Sequence, residues 1–483
     1  MAGGPRVAVT LGIDLGTGSS KAVLVDARGR VVAGCAAAHP AGAEVDTEAW
    51  WRSVVCAVRA VHRAAAEGGA GRGVRVRAVG LTGQMHGVVL VGRGLDPMAP
   101  AVTWADTGWP ETVAEVAELA APYALDLGNP VVAGMPAVTL RRLCRYRPRL
   151  LDGANLVLAP KDWLGARLTA VAVTDPTDAS ATLLWDLRAG CWHWALLRAL
   201  QLDAALLPAV APSDAVRGPL LASAADELGL PAGIPVTVGR GDTAAALLGS
   251  GAAGVPGCAQ LTVGTGGQLC RIAGAPRQDP TRRTHLFSGP GPGQHYAMAA
   301  TLSAGLAMEW VRGLFGLSWP GLYAEAFGCP PGAAGAVFQP YVAGERTPYL
   351  DPSLTASWCG LGPAHGRPQL LRSALEGCAF ALRDAWDALC AAGHDAAILL
   401  LAGGGSTDPR WRQLLADVLG RPLAGTPHGA GSARGAALSA ALALGWFGDL
   451  PSAVATSGPP SVITTPGAHD YTGSLARFRA TPR

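Results

Sequence analysis

Residues 11–25 read LGIDLGTGSSKAVLV. Leu11 and Ile13 lead into a turn made of Gly16, Thr17, Gly18, Ser19 and Ser20, and Ala22 to Val25 lead out of it. The pattern is strand, tight turn, strand. Glycines let backbone N–H groups converge at φ values that other residues avoid, and converging N–H groups beside hydroxyls make a pocket for phosphate oxygens. Asp14 stands just before the turn and Lys21 just after it. A carboxylate in that position can hold the Mg²⁺ that accompanies nucleotide phosphates. The stretch is not a Walker A loop, because Lys21 follows Ser20, precedes Ala22 and runs into a strand rather than a helix. Taken alone, it reads equally well as a plain hairpin with a Gly turn.

Outward from this hairpin the chain has 483 residues, too many for one compact core, and two large domains are expected. About half the residues are apolar (49%), so both cores have material. The net charge of +3 is spread without blocks, which argues against nucleic acid or an anionic membrane as partner. Only two of the 38 basic residues are lysines, Lys21 and Lys161. The ten cysteines stand singly, with no CxxC pair and no Cys/His cluster, so disulfide-scaffold and metal-site readings fail. Free, mostly buried thiols in a reducing cytosol are expected. The opening MAGGPRVAVTLGID has too short an apolar run for a signal peptide, and no window reaches the length of a membrane helix. A cytoplasmic protein is the expectation.

Along the chain, Val31–Ala33 continues the opening into a meander, and 46–67 reads as a helix with Trp50, Val54, Val58 and Val61 on one face and Asp46 at its N-cap. The stretch 74–91 holds a strand, the loop Gln84-Met85-His86-Gly87 and a second strand. A short strand ends at Trp104 and Asp106, and 111–149 reads as mostly helical. Residues 174–182, TDPTDASAT, are polar and turn-rich, and 208–219 is loop-like. Ile234–Val238 is a strand that enters Gly239-Arg240-Gly241-Asp242. The linker 249–257, GSGAAGVPG, is the best boundary in the chain. Directly after it, AQLTVGTGGQLCRI at 259–272 repeats the opening design, with Val263-Gly264-Thr265-Gly266 matching Leu15-Gly16-Thr17-Gly18 about half the chain away. An internal duplication is the natural reading, and two such turns could close on one polyphosphate from both sides. The second half continues with a helix over 303–314, a turn at Gly344–Pro348, a long helix over 368–392 with Leu371, Leu375, Cys378 and Leu382 on one face, and a buried strand at 397–401. Helices follow near 409–419 and 431–443, and the tail after Pro451 has no strong pattern.

Several places could carry chemistry. The strand entering Gly403-Gly404-Gly405-Ser406 has the form of a nucleotide site at the carboxyl end of a strand, and equally of a tight strand–helix turn. Asp242 sits at the carboxyl end of a strand beside the boundary, where a carboxylate could accept a proton from a hydroxyl attacking phosphorus. An ordinary helix N-cap is the plain alternative, and the two are compatible. The amide of Gln84 and the imidazole of His86, with Met85 between, could bind a polyol, and Trp104 and Asp106 could line the same pocket. Lys161 and Asp162 read as an ordinary exposed pair.

These motifs, in this order, resemble the FGGY carbohydrate kinases, of the actin–hexokinase–Hsp70 ATPase fold, and most closely their xylulokinase branch. The resemblance runs from Leu11 to about Gly445 through GIDLGTGSSK (12–21), GQMHG (83–87), PKDWL (160–164), TDPTDASAT (174–182), GRGDTAAA (239–246), VGTGG (263–267), GERTP (344–348), RSALEGCAFALRD (372–384) and AGGGSTDPRWRQLLADVLG (402–420). It implies an α/β chain of two duplicated ribonuclease-H-like domains with a cleft between them. Their spans would be 8–248 for sugar and catalysis and 257–446 for nucleotide, with 447–483 as a tail. It implies ATP-dependent phosphorylation of a small ketose, D-xylulose to D-xylulose 5-phosphate first. The alternatives are a kinase of ribulose, sedoheptulose or an alditol, and a non-catalytic sugar or nucleotide sensor. Asp242 would be the general base and Asp14 the organiser of Mg²⁺ and phosphates, with both aspartates at the metal. Gly16, Thr17, Gly18, Ser19 and Lys21 would take the ATP phosphates from one side and Gly264, Thr265 and Gly266 from the other, with Gly403, Gly404 and Gly405 at the adenosine. Gln84, Met85, His86, Trp104 and Asp106 would face the sugar with Asp242. Nothing in the chain suggests a macromolecular partner, and a homodimer stays open. Three departures stand out: Gly266 replaces a Ser of the family's second loop, Arg240 puts a bulky cation next to the base, and no Arg follows Asp106 at position 108.

Overall fold

The computed structural model describes residues 7–67, 73–403, 405, 407–425, 431–467 and 469–483. Its first half is built on the opening meander: β1 (Val7–Leu15), β2 (Ser19–Asp26) and β3 (Val31–Ala38) pair antiparallel in sequence. Helix α1 (Thr47–Glu67) returns the chain so that β4 (Val74–Gly83) lies parallel to β1. The apolar face read from sequence is the buried one, Trp50, Val54, Val58 and Val61. A long excursion then adds α2 (Pro136–Tyr146) and α3 (Pro160–Thr169) before β5 (Val216–Pro219), β6 (Pro235–Thr237) and β7 (Arg240–Gly241) complete a seven-stranded sheet, and α4 (Asp242–Gly249) leaves it.

The second half repeats the plan. β8 (Cys258–Val263) and β9 (Gly267–Ala273) form a hairpin, and β10 (His285–Ser288) and β11 (His295–Thr301) extend it. Helix α5 (Gly305–Leu314) and the long, almost wholly buried α6 (Arg367–Ala391) cross over to β12 (Ile398–Ala402), parallel to β8 as β4 is to β1. Then α7 (Pro409–Leu419), β13 (Leu423–Gly425) and α8 (Ser432–Ala443) follow. The tail is not patternless. It supplies β14 (Ser461–Thr464), the far edge of the second seven-stranded sheet, and α9 (Thr472–Ala480), whose Phe478 is fully buried. β14 is a short edge strand whose Val462 and Ile463 stay exposed, and Phe478 of α9 finds its ring partner in the distant Phe380 of α6, so local pattern reveals neither. The stretch 208–219 likewise contributes two short strands to sheets rather than a loop.

The halves meet through two corresponding helices, α4 and α8, each following the last parallel strand of its sheet. They cross backbone to backbone: a Cβ on Gly435 would lie 1.9 Å from the Ala245 carbonyl, and one on Gly249 would lie 2.2 Å from that of Gly431. Helix α8 also lies on the first sheet, where a Cβ on Gly12 or Gly80 would meet the carbonyls of Ala433 or Ala436 below 2 Å. Thr10 Oγ1 donates to Ala437 O at 2.9 Å across the same seam. A helix late in the sequence therefore seals the sheet that opens it. Buried Arg434 ties the seam further, donating to Gly29 O, Gly249 O, Ser457 Oγ and Thr456 Oγ1. Among the described residues no helix is long and apolar enough to cross a membrane. All ten cysteines are free, but only four are buried, five are partly covered and Cys56 is exposed, so the thiols are less buried than expected.

Candidate active site

The two Gly turns are hairpin turns of different length. In the first, Leu15 pairs with Ser20 and Gly16 to Ser19 form the loop; in the second, Val263 pairs with Gly267 and only Gly264, Thr265 and Gly266 lie between. The second copy is one residue shorter. Its Gly266 is required by close approach, since a Cβ there would sit 2.4 Å from Thr301 O. The departure from Ser is thus a matter of space. The first N–H groups of α5 hold this turn from behind, Gly305 N on Gly264 O at 3.0 Å and Leu306 N on Thr265 O at 2.8 Å. With the carbonyls used there, the N–H groups of Thr265 and Gly266 are left without partners among the described residues, as are those of Thr17 and Gly18 in the first turn. Unpartnered N–H groups at the tips of such turns are free to donate to anionic oxygens.

Asp14, at the end of β1, is buried and faces Lys21 across the hairpin at 3.7 Å. Its Oδ2 accepts from Ser432 Oγ at the start of α8, 2.5 Å away, while its Oδ1 has no partner among the described residues. Asp242 is the first residue of α4, with Gly241 at the N-cap position. Its Oδ1 accepts from Thr243 N at 2.6 Å and from Thr243 Oγ1 at 3.2 Å. Burial pushes its pKa up to about 7, the Asp14 charge adds to that, and Thr243 and Lys21 pull the other way. A carboxylate whose pKa is raised by burial and by the charge of a second carboxylate forms with that second group a fitting donor set for a divalent cation, and Asp14 Oδ1 is a buried oxygen with no partner among the described residues.

Beneath Asp242 lies a buried charge cluster. Lys161 and Asp162 are not an exposed pair: both are fully buried. Lys161 Nζ lies 2.5 Å from Asp162, 3.3 Å from Asp175 and 3.3 Å from Asp178. Burial alone would lower the ammonium's pKa, but the three carboxylates overcome it and raise it. Burial raises the Asp178 pKa well above the usual carboxylate range, with the charges of Asp162, Asp175 and Asp242 adding to it and Lys161 pulling the other way. Periodicity could not show this, because α3 is buried all round and offers no polar face for Lys161. The cluster explains the TDPTDASAT stretch. Asp175 caps the short helix Pro176–Ser180, and Thr177 Oγ1 accepts Gly241 N at 2.8 Å, holding the backbone just before Asp242.

Among the residues read as sugar-facing, Gln84 sits against the first turn, its Nε2 3.4 Å from Gly16 O, with Oε1 buried and unpartnered. Met85 packs across the seam, its Sδ 3.5 Å from Tyr296 Oη. His86 adopts a left-handed backbone (φ 67) and its Nδ1 donates to Ala181 O at 2.7 Å. Burial brings its pKa down to about 4, so the ring is neutral and Nε2 is an acceptor. Trp104 Nε1 donates to Thr17 Oγ1 at 3.0 Å, joining this wall to the first turn. Asp106 pairs with Arg142 of α2 at 3.0 Å. The guanidinium absent from position 108 therefore arrives from another helix, which a local motif does not disclose. Arg240 is buried, but it is not a cation at the base. Its guanidinium points instead to Asp214 (2.7 Å), Pro290 O (3.0 Å) and Ser439 Oγ. Gly403 takes φ 87 and a Cβ there would lie 2.5 Å from Val263 O, so this glycine brings the end of β12 against the second turn. Gly405 approaches the same carbonyl, and Gly404 lies outside the described residues.

The chain matches the model for the N-terminal domain of the FGGY family of carbohydrate kinases over residues 9–249 and that for its C-terminal domain over 259–444. It is 32% identical over 420 residues to a xylulose kinase of Escherichia coli, covering 86% of this chain and 85% of that one. It is 33% identical over 461 residues to a xylulose kinase of Streptomyces rubiginosus, covering 94% and 90%. The crystal structure of a kinase from Brucella ovis, described as a xyloylose kinase, superimposes with a TM-score of 0.84 at 31% identity over 98% of this chain and 96% of that one.

Proposed function

We propose that the chain, which belongs to the FGGY family of carbohydrate kinases and is an ATP-dependent sugar kinase, phosphorylates a small ketose, D-xylulose to D-xylulose 5-phosphate. The sugar assignment draws on the xylulose kinases it resembles at 32% and 33% identity over most of both chains. The observation that carries the mechanism is the placement of Asp242. It is a carboxylate with its pKa raised to about 7, at a helix start, in electrostatic contact with Asp14.

The sugar hydroxyl oxygen forms a bond to the γ-phosphorus as the bond from phosphorus to the bridging oxygen of ADP breaks. The hydroxyl proton goes to Asp242, and a base with a pKa near the working pH suits that transfer. The N–H groups of Thr17, Gly18, Thr265 and Gly266, with Ser19 Oγ and Lys21, hold the phosphate oxygens from both sides. Gly403 and Gly405 lie against the adenosine. Asp14 and Asp242 fit Mg²⁺, because Asp14 Oδ1 is buried without another partner and the two charges oppose each other. Mg²⁺ bound there neutralises part of the phosphate charge. Met85, His86 and Trp104 line the sugar side, and His86 Nε2 accepts from a sugar hydroxyl.

ADP release with Mg²⁺ and ATP over a panel of D-xylulose, ribulose, sedoheptulose and alditols tests this reading. Fastest turnover with D-xylulose is expected. Turnover only with another sugar overturns the substrate, and turnover with none overturns the proposed chemistry.

A further inference from the structure

Arg346 stands in the GERTP turn of the second half, yet its guanidinium lies over the ring of Trp104 in the first, 5.3 Å from the centroid. It has no ion-pair partner within 4.0 Å among the described residues, and none of its side-chain N–H groups donates to one. The neighbouring Glu345 does not serve: its Oε1 accepts Leu302 N at 2.6 Å and Arg346 N at 2.7 Å, and burial pushes its pKa up to about 7. Arg346 is only partly covered, and its side-chain donors, without protein partners among the described residues, are free to meet an acceptor on a ligand.

The surroundings of Arg346 say which wall of the cleft it joins. Besides Trp104, its charge reaches His86 and His285, both lowered first by burial and then by Arg346. The two imidazoles flank Phe287, with centroids 5.9 and 5.7 Å from that ring. The guanidinium therefore belongs to the wall that Trp104 and His86 form, the wall read as sugar-facing.

The chemistry of the substrate class supplies the acceptor. A 2-ketopentose closes its five-membered ring by adding its C5 hydroxyl to the C2 carbonyl. If C5 oxygen is to attack phosphorus, that ring must be open, and C2 then carries a free carbonyl three carbons from the reacting oxygen. A carbonyl oxygen only accepts hydrogen bonds and a guanidinium only donates them. Resting on the ketose-kinase reading above, we infer that Arg346 donates to the C2 carbonyl oxygen of the open-chain ketose and sets the preference for a ketose over the matching alditol. Because Arg346 comes from the second half and Trp104 from the first, this hydrogen bond is available only when the halves are together. Reading the carbonyl thus also selects the closed cleft.

The test compares Arg346→Gln and Arg346→Lys with the wild type, measuring KM and kcat for D-xylulose by ADP release and the competitive inhibition constant of xylitol. Xylitol has the same carbon skeleton without the carbonyl. Loss of one charge-assisted hydrogen bond is worth roughly 10- to 100-fold. Arg346→Gln is expected to raise the D-xylulose KM about 30-fold, with the xylitol constant changed less than about threefold, and Arg346→Lys to fall between. Melting temperature and ATP affinity within a narrow band of wild type control for folding. Equal shifts for ketose and alditol, or none for either, in an active wild type overturn the inference and leave the kinase reading standing. A wild type that phosphorylates no ketose overturns both.

Discussion

Replacing Asp242 by Asn separates the chemical role of this residue from its structural cost. The Asp242 pKa rises from 3.8 to about 7, chiefly through burial and then through Asp14. The folded state therefore holds this proton more tightly than the unfolded state. The sign follows: the carboxyl destabilises little below pH 4, increasingly as pH rises through the gap, and fully above about 7. Three pH units at 1.36 kcal/mol each give a ceiling of about 4 kcal/mol. Partial exposure of the side chain and local relaxation reduce this to about 1–2 kcal/mol. At roughly 2–4 °C per kcal/mol for units of 150–250 residues, the Asn variant should melt about 3–6 °C higher than wild type at pH 8, with a clearly smaller gain at pH 5. The same variant should lose at least about 10²- to 10⁴-fold in sugar phosphorylation, the range for a positioned base, and still bind ATP. Thermal melts of ligand-free protein at both pH values, with ADP release and ATP titration, read all three. A variant that melts lower at pH 8, shows a pH-independent gain, or keeps more than a tenth of its activity would refute the reasoning.

Other consequences follow from the same geometry. Gly266→Ser restores a hydroxyl to the second turn, but its Cβ would press on Thr301 O at 2.4 Å; a KM for ATP raised at least about tenfold is expected, and a lower KM would show that the turn has room. Lys161→Met leaves Asp162 and Asp175 buried without their cation, a loss of about 3–5 kcal/mol at pH 8 that should shrink toward pH 5 as carboxylates take up protons; urea unfolding at the two pH values measures it. In the wild type, log kcat/KM for the sugar should fall with unit slope below about pH 7, where Asp242 becomes protonated in the free enzyme; a profile flat to pH 5 would remove Asp242 as the base.

How much of this was legible in the chain depends on how local the signal was. The hairpin at 11–25, its echo at 259–272, the crossover helices and the buried strands carry their reasons within a few residues, in glycine placement and apolar period. The two-half architecture follows from the echo, because one fold unit repeated in sequence repeats in space. Lys161 was misread as exposed because its three carboxylate partners come partly from residues 175 and 178, and only the fold brings them to it. Arg142 reaches Asp106 from a helix more than thirty residues on, and Arg240 turns away from Asp242 toward Asp214 and Ser439. Direction of a side chain off a two-residue strand is not written in its neighbours. The tail hides β14 and α9 because Val462 and Ile463 of the strand stay exposed and Phe478 of the helix finds its partner, Phe380, on the distant α6. Gly266 was noticed as a departure from the family, but its cause, the Thr301 carbonyl, appears only in three dimensions.

The central claim is phosphoryl transfer to the C5 hydroxyl of an open-chain ketose. Its most direct test is ³¹P NMR of a reaction of the wild-type protein with Mg²⁺, ATP and D-xylulose. ADP and D-xylulose 5-phosphate should appear in equal amounts. ADP with free phosphate and no sugar phosphate, or no reaction with D-xylulose while another sugar is phosphorylated, would contradict it.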